Sequence, residues 1–210
     1  MNLVQMPRHL LVEPPTSWLS DYCSGRIDHP NEGTEYKEGL LAFLTCRAST
    51  RSRVSVAGAA QSLGLGFIEI PWESFYGNET VHHCAAKNLV SEAWSLRSLG
   101  VVALIVRPSS HEWLKTFATE SPIPIVNACS NLWHPLQAIA DLRAIHNRFH
   151  RLDGIRVIFV GNGHHPTISS LATLGKRLGL KINILALKTM PLVQKLWHAK
   201  EPVVWITYLQ

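Results

Sequence analysis

The sequence predicts an α/β protein: a parallel-sheet first domain followed by a smaller, partial second α/β domain. Three observations carry that reading. From about Arg51 onward, short β-rich runs alternate with helix-like segments, as when each strand is followed by a crossover helix that returns the chain parallel. Pro135, Pro166 and Pro191 each open a helix-like segment, at the first-turn position where a missing N–H costs nothing. A fresh strand, Ile155–Gly161, starts just after Arg151–Gly154, so residues 1–150 read as one domain and residues 151–210 as another.

Taken in order, the helix candidates are Arg51–Leu63, Ala85–Leu99, His111–Thr119, Pro135–Phe149, Pro166–Leu178 and Pro191–His198. The first contains the amphipathic run Val54–Leu63. The strand candidates are Gly66–Ile70, Val101–Arg107, Ile123–Val126, Ile155–Gly161, Lys181–Leu187 and Val203–Tyr208. Only about three strands fall in the second domain, too few for an independent doubly wound sheet.

Composition narrows the class further. With 46% hydrophobic residues in 210, a packed core in one large or two small domains is expected. The longest apolar runs, such as Val101–Val106, fall far short of the ~20 residues of a membrane span. Met1–Val12 has no apolar core of a secretory signal, so a cytoplasmic protein without membrane contact is expected. Cys23, Cys46, Cys84 and Cys129 include no C-x-x-C pair and read as reduced and structural. The histidine pairs His82-His83 and His164-His165 lack further ligands at metal-binding spacing, so no metal is expected. A net charge of +5 is compatible with nucleic acid, an acidic surface or a small anionic substrate. The seven tryptophans are dispersed rather than interleaved with a basic stripe, which argues against nucleic acid.

Three segments carry chemistry. In Ala48-Ser49-Thr50-Arg51-Ser52-Arg53, hydroxyls and guanidinium groups cluster where a helix begins. Free N–H groups and the helix dipole favour an anion there, and each charge-assisted hydrogen bond contributes about 1.5–3 kcal/mol. An ordinary N-cap with solvated arginines accounts for this segment alone equally well. Arg107 ends the strand Val101–Arg107, at the carboxyl edge where open α/β sheets take ligands; a strand-terminating surface arginine is the plainer alternative. After Ile123–Val126 comes His134-Pro135-Leu136-Gln137, where an imidazole able to polarise a carbonyl and an amide able to grip another amide share the mouth of a helix; a histidine there is also a routine cap or packing residue.

Together, Ser-Thr-Arg-Ser-Arg, Arg107 and His-Pro-Leu-Gln stand in the order and at the approximate separations of the aspartate/ornithine carbamoyltransferases, which this sequence resembles over roughly residues 40–187. Asp141 falls where that family has Asp-Leu after its His-Pro motif, and Gly154–Gly161 resembles the strand opening its second domain. The separation of Asn127 from His134, His111-Glu112 after Arg107, and the length of Gly161-Asn162-Gly163-His164-His165 are closer to the ornithine branch than to the aspartate branch.

The resemblance implies that Ser49, Thr50, Arg51 and Ser52 hold the phosphate of carbamoyl phosphate, and that Arg107, His134 and Gln137 act on its carbamoyl group, with Pro135 and Leu136 lining it. It implies no metal or organic cofactor, an amino-acid amine as acceptor, and a homotrimer or association with a related subunit. In such a trimer a neighbour contributes a loop matching Gly77–Trp94, with Lys87 as its basic residue. Leu89, Val90 and Ala93 replace the usual polar residues there, and His164 and His165 stand where the ornithine enzymes have asparagines. No segment like the family's late Cys-Leu-Pro or His-Pro-Leu-Pro loop occurs, so a truncated second domain is expected. Transfer to ornithine is the leading expectation. The alternatives are a carbamoyl-phosphate-binding paralogue or truncated subunit without activity, and an aspartate-type enzyme.

Overall fold

The computed structural model describes residues 38–46, 49–72, 86–185 and 203–207. These form two compact units, one of the residues up to Asn131 and one of those from Leu132 onward.

The first unit comprises β1 (Leu40–Thr45), α1 (Thr50–Ser62), β2 (Gly66–Pro71), α2 (Ala86–Ser98), β3 (Val101–Arg107), α3 (His111–Glu120) and β4 (Ile125–Asn127). Its sheet has the order β2-β1-β3-β4, and every neighbouring pair is parallel. The interior strands are apolar along their length because both faces are covered: Leu41, Ala42, Phe43 and Leu44 of β1 and Ala103–Val106 of β3 are all buried. Leu114, Phe117 and Ala118 of α3 and Ala93 of α2 share a core with Leu44, Leu104 and Ile125. Trp72 stacks obliquely on Trp113, which in turn meets Phe117.

The second unit contains α4 (Pro135–Phe149), β5 (Arg156–Val160), α5 (Pro166–Arg177), β6 (Lys181–Leu185) and β7 (Val203–Thr207). Its three strands are parallel in the order β6-β5-β7. Helix α4 belongs here by packing: Ala138, Ile139, Leu142 and Ile145 share a core with Ile155, Val157, Leu171 and Leu174. The division by packing thus precedes α4, whereas the sequence places its boundary after that helix, at 150/151.

Both sheets are parallel, as the alternating pattern predicts, and the prolines at 135 and 166 each sit in a first helical turn. Strand β1 is absent from the sequence-based expectation. Its Leu-Leu-Ala-Phe-Leu-Thr run has neither alternation nor β-branched residues other than Thr45, and a short run buried on both faces has no periodicity to read. Strand β4 is displaced toward the carboxyl side, at Ile125–Asn127 rather than Ile123–Val126. Residues 123 and 124 are instead shaped by Ser121, whose hydroxyl donates to the Ile123 carbonyl and accepts from the Ile123 N–H. The expected helix Pro191–His198 lies outside the described residues.

Candidate functional site

Parallel pairing brings the carboxyl ends of β1, β3 and β4 to one edge of the first sheet. Thr45 lies beside Arg107, and Val106 beside Asn127. The chain leaving β1 is tied to β3 at once, since both the N–H and the thiol of Cys46 reach the Arg107 carbonyl, each at 3.2 Å.

Helix α1 starts at Ser49. This residue has extended backbone angles (φ −152°, ψ 96°), and its hydroxyl accepts the Ser52 N–H at 3.4 Å, a side-chain N-cap. The Ser49 hydroxyl also donates to Ser52 Oγ at 3.0 Å. Across the sheet edge, Arg107 Nη1 donates to Ser49 Oγ at 3.3 Å and to Ser52 Oγ at 3.2 Å. Ser52 Oγ therefore receives two hydrogen bonds, which leaves its own hydroxyl proton to be given to a further acceptor. Arg107 Nε is buried and makes no hydrogen bond among the described residues. A guanidinium bonded to hydroxyls rather than to a carboxylate keeps its charge unneutralised, and beside a helix N-terminus that charge adds to the dipole. Such a cluster is arranged to receive an oxyanion.

The other residues of this motif are disposed differently. Thr50 and Arg51 lie exposed in the first turn of α1. Arg53 is taken up by a two-point ion pair with Glu69 of β2, Nε to Oε2 at 2.7 Å and Nη2 to Oε1 at 2.8 Å. Lys87 lies in the first turn of α2.

The loop after β4 is held by a buried network that the sequence did not reveal. Asn127 Oδ1 accepts from the N–H groups of Cys129 (3.0 Å) and Ser130 (2.9 Å), and Asn127 Nδ2 donates to Ser130 Oγ at 3.2 Å. Ser130 Oγ also meets His111 Nδ1 at 3.2 Å, and the His111 N–H donates to Asn131 Oδ1 at 2.7 Å. His111 is thus a buried strut between α3 and this loop. Within the loop Cys129 adopts φ +112°, a conformation costing a non-glycine residue about 1–3 kcal/mol, which the surrounding bonds enforce. Asn directly after a strand is a legible turn signal; the bonds that His111 makes to Ser130 and Asn131, nineteen and twenty positions further along the chain, have no sequence signature.

In the second unit, His134 is the N-cap of α4 (φ −133°, ψ 70°) and its imidazole makes no capping bond. Its backbone N–H donates to Ser170 Oγ of α5 at 2.8 Å, and Ser170 is fully buried. Pro135 is buried, and Leu136 and Gln137 are half-buried. Gln137 Nε2 donates to Asp141 Oδ1 at 2.9 Å, one helical turn on. Burial pushes the Asp141 carboxyl above its ordinary value of 3.8, while the Gln137 hydrogen bond pulls it the other way. The glycine-rich loop after β5 holds His164 exposed, and His165 caps α5 by accepting the Thr167 N–H at Nδ1. Among the described residues no three His, Cys, Asp or Glu side chains are grouped to hold a metal ion. No helix there is long and apolar enough to cross a membrane.

Two parallel-sheet units, one with an arginine–hydroxyl cluster at a helix N-terminus, define an α/β protein with a candidate oxyanion site. The chain belongs to the aspartate/ornithine carbamoyltransferase family, whose carbamoyl-P binding domain matches residues 20–147. The ornithine carbamoyltransferase of Pyrobaculum aerophilum is 32% identical over 142 residues, 68% of this chain and 44% of that protein. The catabolic ornithine carbamoyltransferase of Enterococcus faecalis is 30% identical over 210 residues, 96% of this chain and 60% of that one. The chain thus spans about half the length of the curated relatives it matches. In fold it is similar to ornithine carbamoyltransferase from Thermus thermophilus, with a TM-score of 0.68 at 22% identity over 98% of this chain and 68% of that one. The catalytic subunit of M. Jannaschii aspartate transcarbamoylase gives 0.63 at 20% identity, over 90% and 62%.

Proposed function

We propose that this chain binds carbamoyl phosphate and serves a carbamoyl transfer to an amino-acid amine, with ornithine, giving citrulline, as the first acceptor to test. The observation that carries the reading is the bridging of Ser49 and Ser52 by Arg107 at the start of α1. Residues 1–150 are then the carbamoyl-phosphate-binding domain and residues 151–210 part of the amino-acid-binding domain. Ser49, Thr50, Arg51 and Ser52 take the phosphate; Arg107, His134, Pro135, Leu136 and Gln137 take the carbamoyl group. The uncharged amine attacks the carbonyl carbon, forming a C–N bond; the bond between that carbon and the bridging oxygen breaks, phosphate leaves with the electron pair and that oxygen, and the proton lost by the amine passes to the departing phosphate. Donors aimed at the carbonyl oxygen stabilise the tetrahedral oxyanion by about 2.7–4 kcal/mol each in comparable sites. The family pattern also supports a cytoplasmic homotrimer, or association with a related subunit, with Lys87 offered in trans.

A second reading, binding of carbamoyl phosphate without transfer, draws on the loop after β5. His165 spends Nδ1 on capping α5, where the ornithine enzymes present asparagine. Calorimetric titration with carbamoyl phosphate, run beside a citrulline-formation assay, separates the two readings. Binding with product supports transfer; binding without product supports the second reading; absence of both sinks each.

A further inference from the structure

We propose that Asp141 is a positioning residue that makes the site select a carbamoyl over an acyl group, by fixing which end of the Gln137 amide is offered to the ligand. The inference rests on the carbamoyl-phosphate reading above and deepens it. Gln137 and Asp141 are four apart on α4 and so share a face, and the amide nitrogen donates to Oδ1 at 2.9 Å. An ionised carboxylate only accepts hydrogen bonds, so the amide end that faces it is the NH2. The Gln137 carbonyl oxygen is therefore the end left to meet a ligand. An acceptor pairs with the NH2 of a carbamoyl group. The methyl of acetyl phosphate, similar in size and carried on the same phosphate, gives it nothing.

Asp141 is otherwise a costly residue at this position. Its second oxygen, Oδ2, is buried and accepts no hydrogen bond among the described residues. The buried residues of the same helix are Pro135, Ala138, Ile139, Leu142 and Ile145, and a carboxylate with a single partner beside such a core loses hydration that an apolar side chain would not need. What the carboxylate does supply is direction. Without it the terminal torsion of Gln137 is roughly two-fold, and the amide presents NH2 about as readily as oxygen, setting donor against donor at the ligand.

The test uses the full chain and its D141N and D141L variants, titrated calorimetrically with carbamoyl phosphate, acetyl phosphate and inorganic phosphate. The unsubstituted chain is expected to bind carbamoyl phosphate about tenfold more tightly than acetyl phosphate. Both variants are expected to bring that ratio close to one through weaker carbamoyl phosphate binding, while inorganic phosphate binds as before. D141N preserves the shape but lets either amide end face Gln137, so it remains informative if D141L fails to fold. A ratio unchanged in D141N, no preference in the unsubstituted chain, or an equal loss for all three ligands overturns the inference. If the unsubstituted chain binds none of the three, the carbamoyl-phosphate reading itself fails and takes this inference with it.

Discussion

Arg107 donates to two hydroxyls and Asp141 accepts from one amide, and each arrangement makes its own prediction. One nitrogen of Arg107 serves two hydroxyls while Nε–H stays buried with no hydrogen bond among the described residues, a division of labour that needs the planar fork of guanidinium. Arg107→Lys keeps the charge but not the fork. We expect it to weaken phosphate and carbamoyl phosphate binding about tenfold or more, and isothermal titration giving an unchanged Kd would refute the oxyanion reading of this cluster. Asp141 makes a different prediction, for stability. Its folded-state pKa is raised above 3.8, chiefly by burial, so its contribution is favourable below 3.8 and is lost as pH rises through the raised value. At neutral pH the charged form is penalised, and Asp141→Asn, which does not titrate, should melt at a higher temperature than the unsubstituted chain. Thermal unfolding at a series of pH values should show this gap closing as pH falls toward 3.8; a gap that widens on acidification would contradict the assignment. At this scale the sequence was half legible. Ser49, Ser52 and Arg107 could be chosen because hydroxyls before a helix and an arginine at a strand end each carry a physical reason. Ser170 could not, because one serine on a helix says nothing of the N–H, thirty-six positions away, that it receives.

Elements were legible where a residue type has one backbone consequence, and obscure where context decides. Proline at 135 and 166 marks a helix start because its fixed φ suits the first turn, and both helices begin there. Strand β1 went unread because Leu-Leu-Ala-Phe-Leu-Thr is buried by tertiary packing alone, and the same letters suit a helix. The carboxyl end of α5 belongs to the legible kind. The N–H of Leu180 returns to the Gly175 carbonyl at 2.9 Å and that of Gly179 to the Lys176 carbonyl at 3.3 Å, a Schellman closure with Gly179 at φ +80°. A Cβ on Gly179 would meet the Asp153 carboxylate and lie 3.0 Å from the Asp153 Cα, so backbone as well as side chain would have to yield. Gly179→Ala should therefore destabilise the second unit by more than the ~1–2 kcal/mol of the left-handed conformation alone. Denaturant unfolding with a loss under 1 kcal/mol would mean that the Asp153 loop gives way freely.

For the whole molecule, the proposed homotrimer would make assembly part of the binding site. If Lys87 is offered in trans to a site whose Arg107 is its own, no chain completes a site alone, and the solution mass should be three times the 23.5 kDa of one chain. The sharper consequence concerns mixtures. A Lys87→Glu chain keeps an intact arginine–hydroxyl cluster but gives its neighbour a repelling charge; an Arg107→Ala chain gives a good lysine but lacks its own guanidinium. Each homotrimer should bind carbamoyl phosphate weakly, losing about tenfold or more relative to the unsubstituted protein. When the two chains are unfolded, mixed in equal amounts and refolded together, a site is complete wherever a Lys87→Glu chain sits beside an Arg107→Ala donor, which random assembly provides at about a quarter of all sites. Calorimetry on the mixture should recover a tight class of sites at that stoichiometry, with the affinity of the unsubstituted protein. The readout is binding, so it holds whether or not this chain completes the transfer. Recovery is impossible if every site is built within one chain, and a mixture no better than its two components would place Lys87 outside the site.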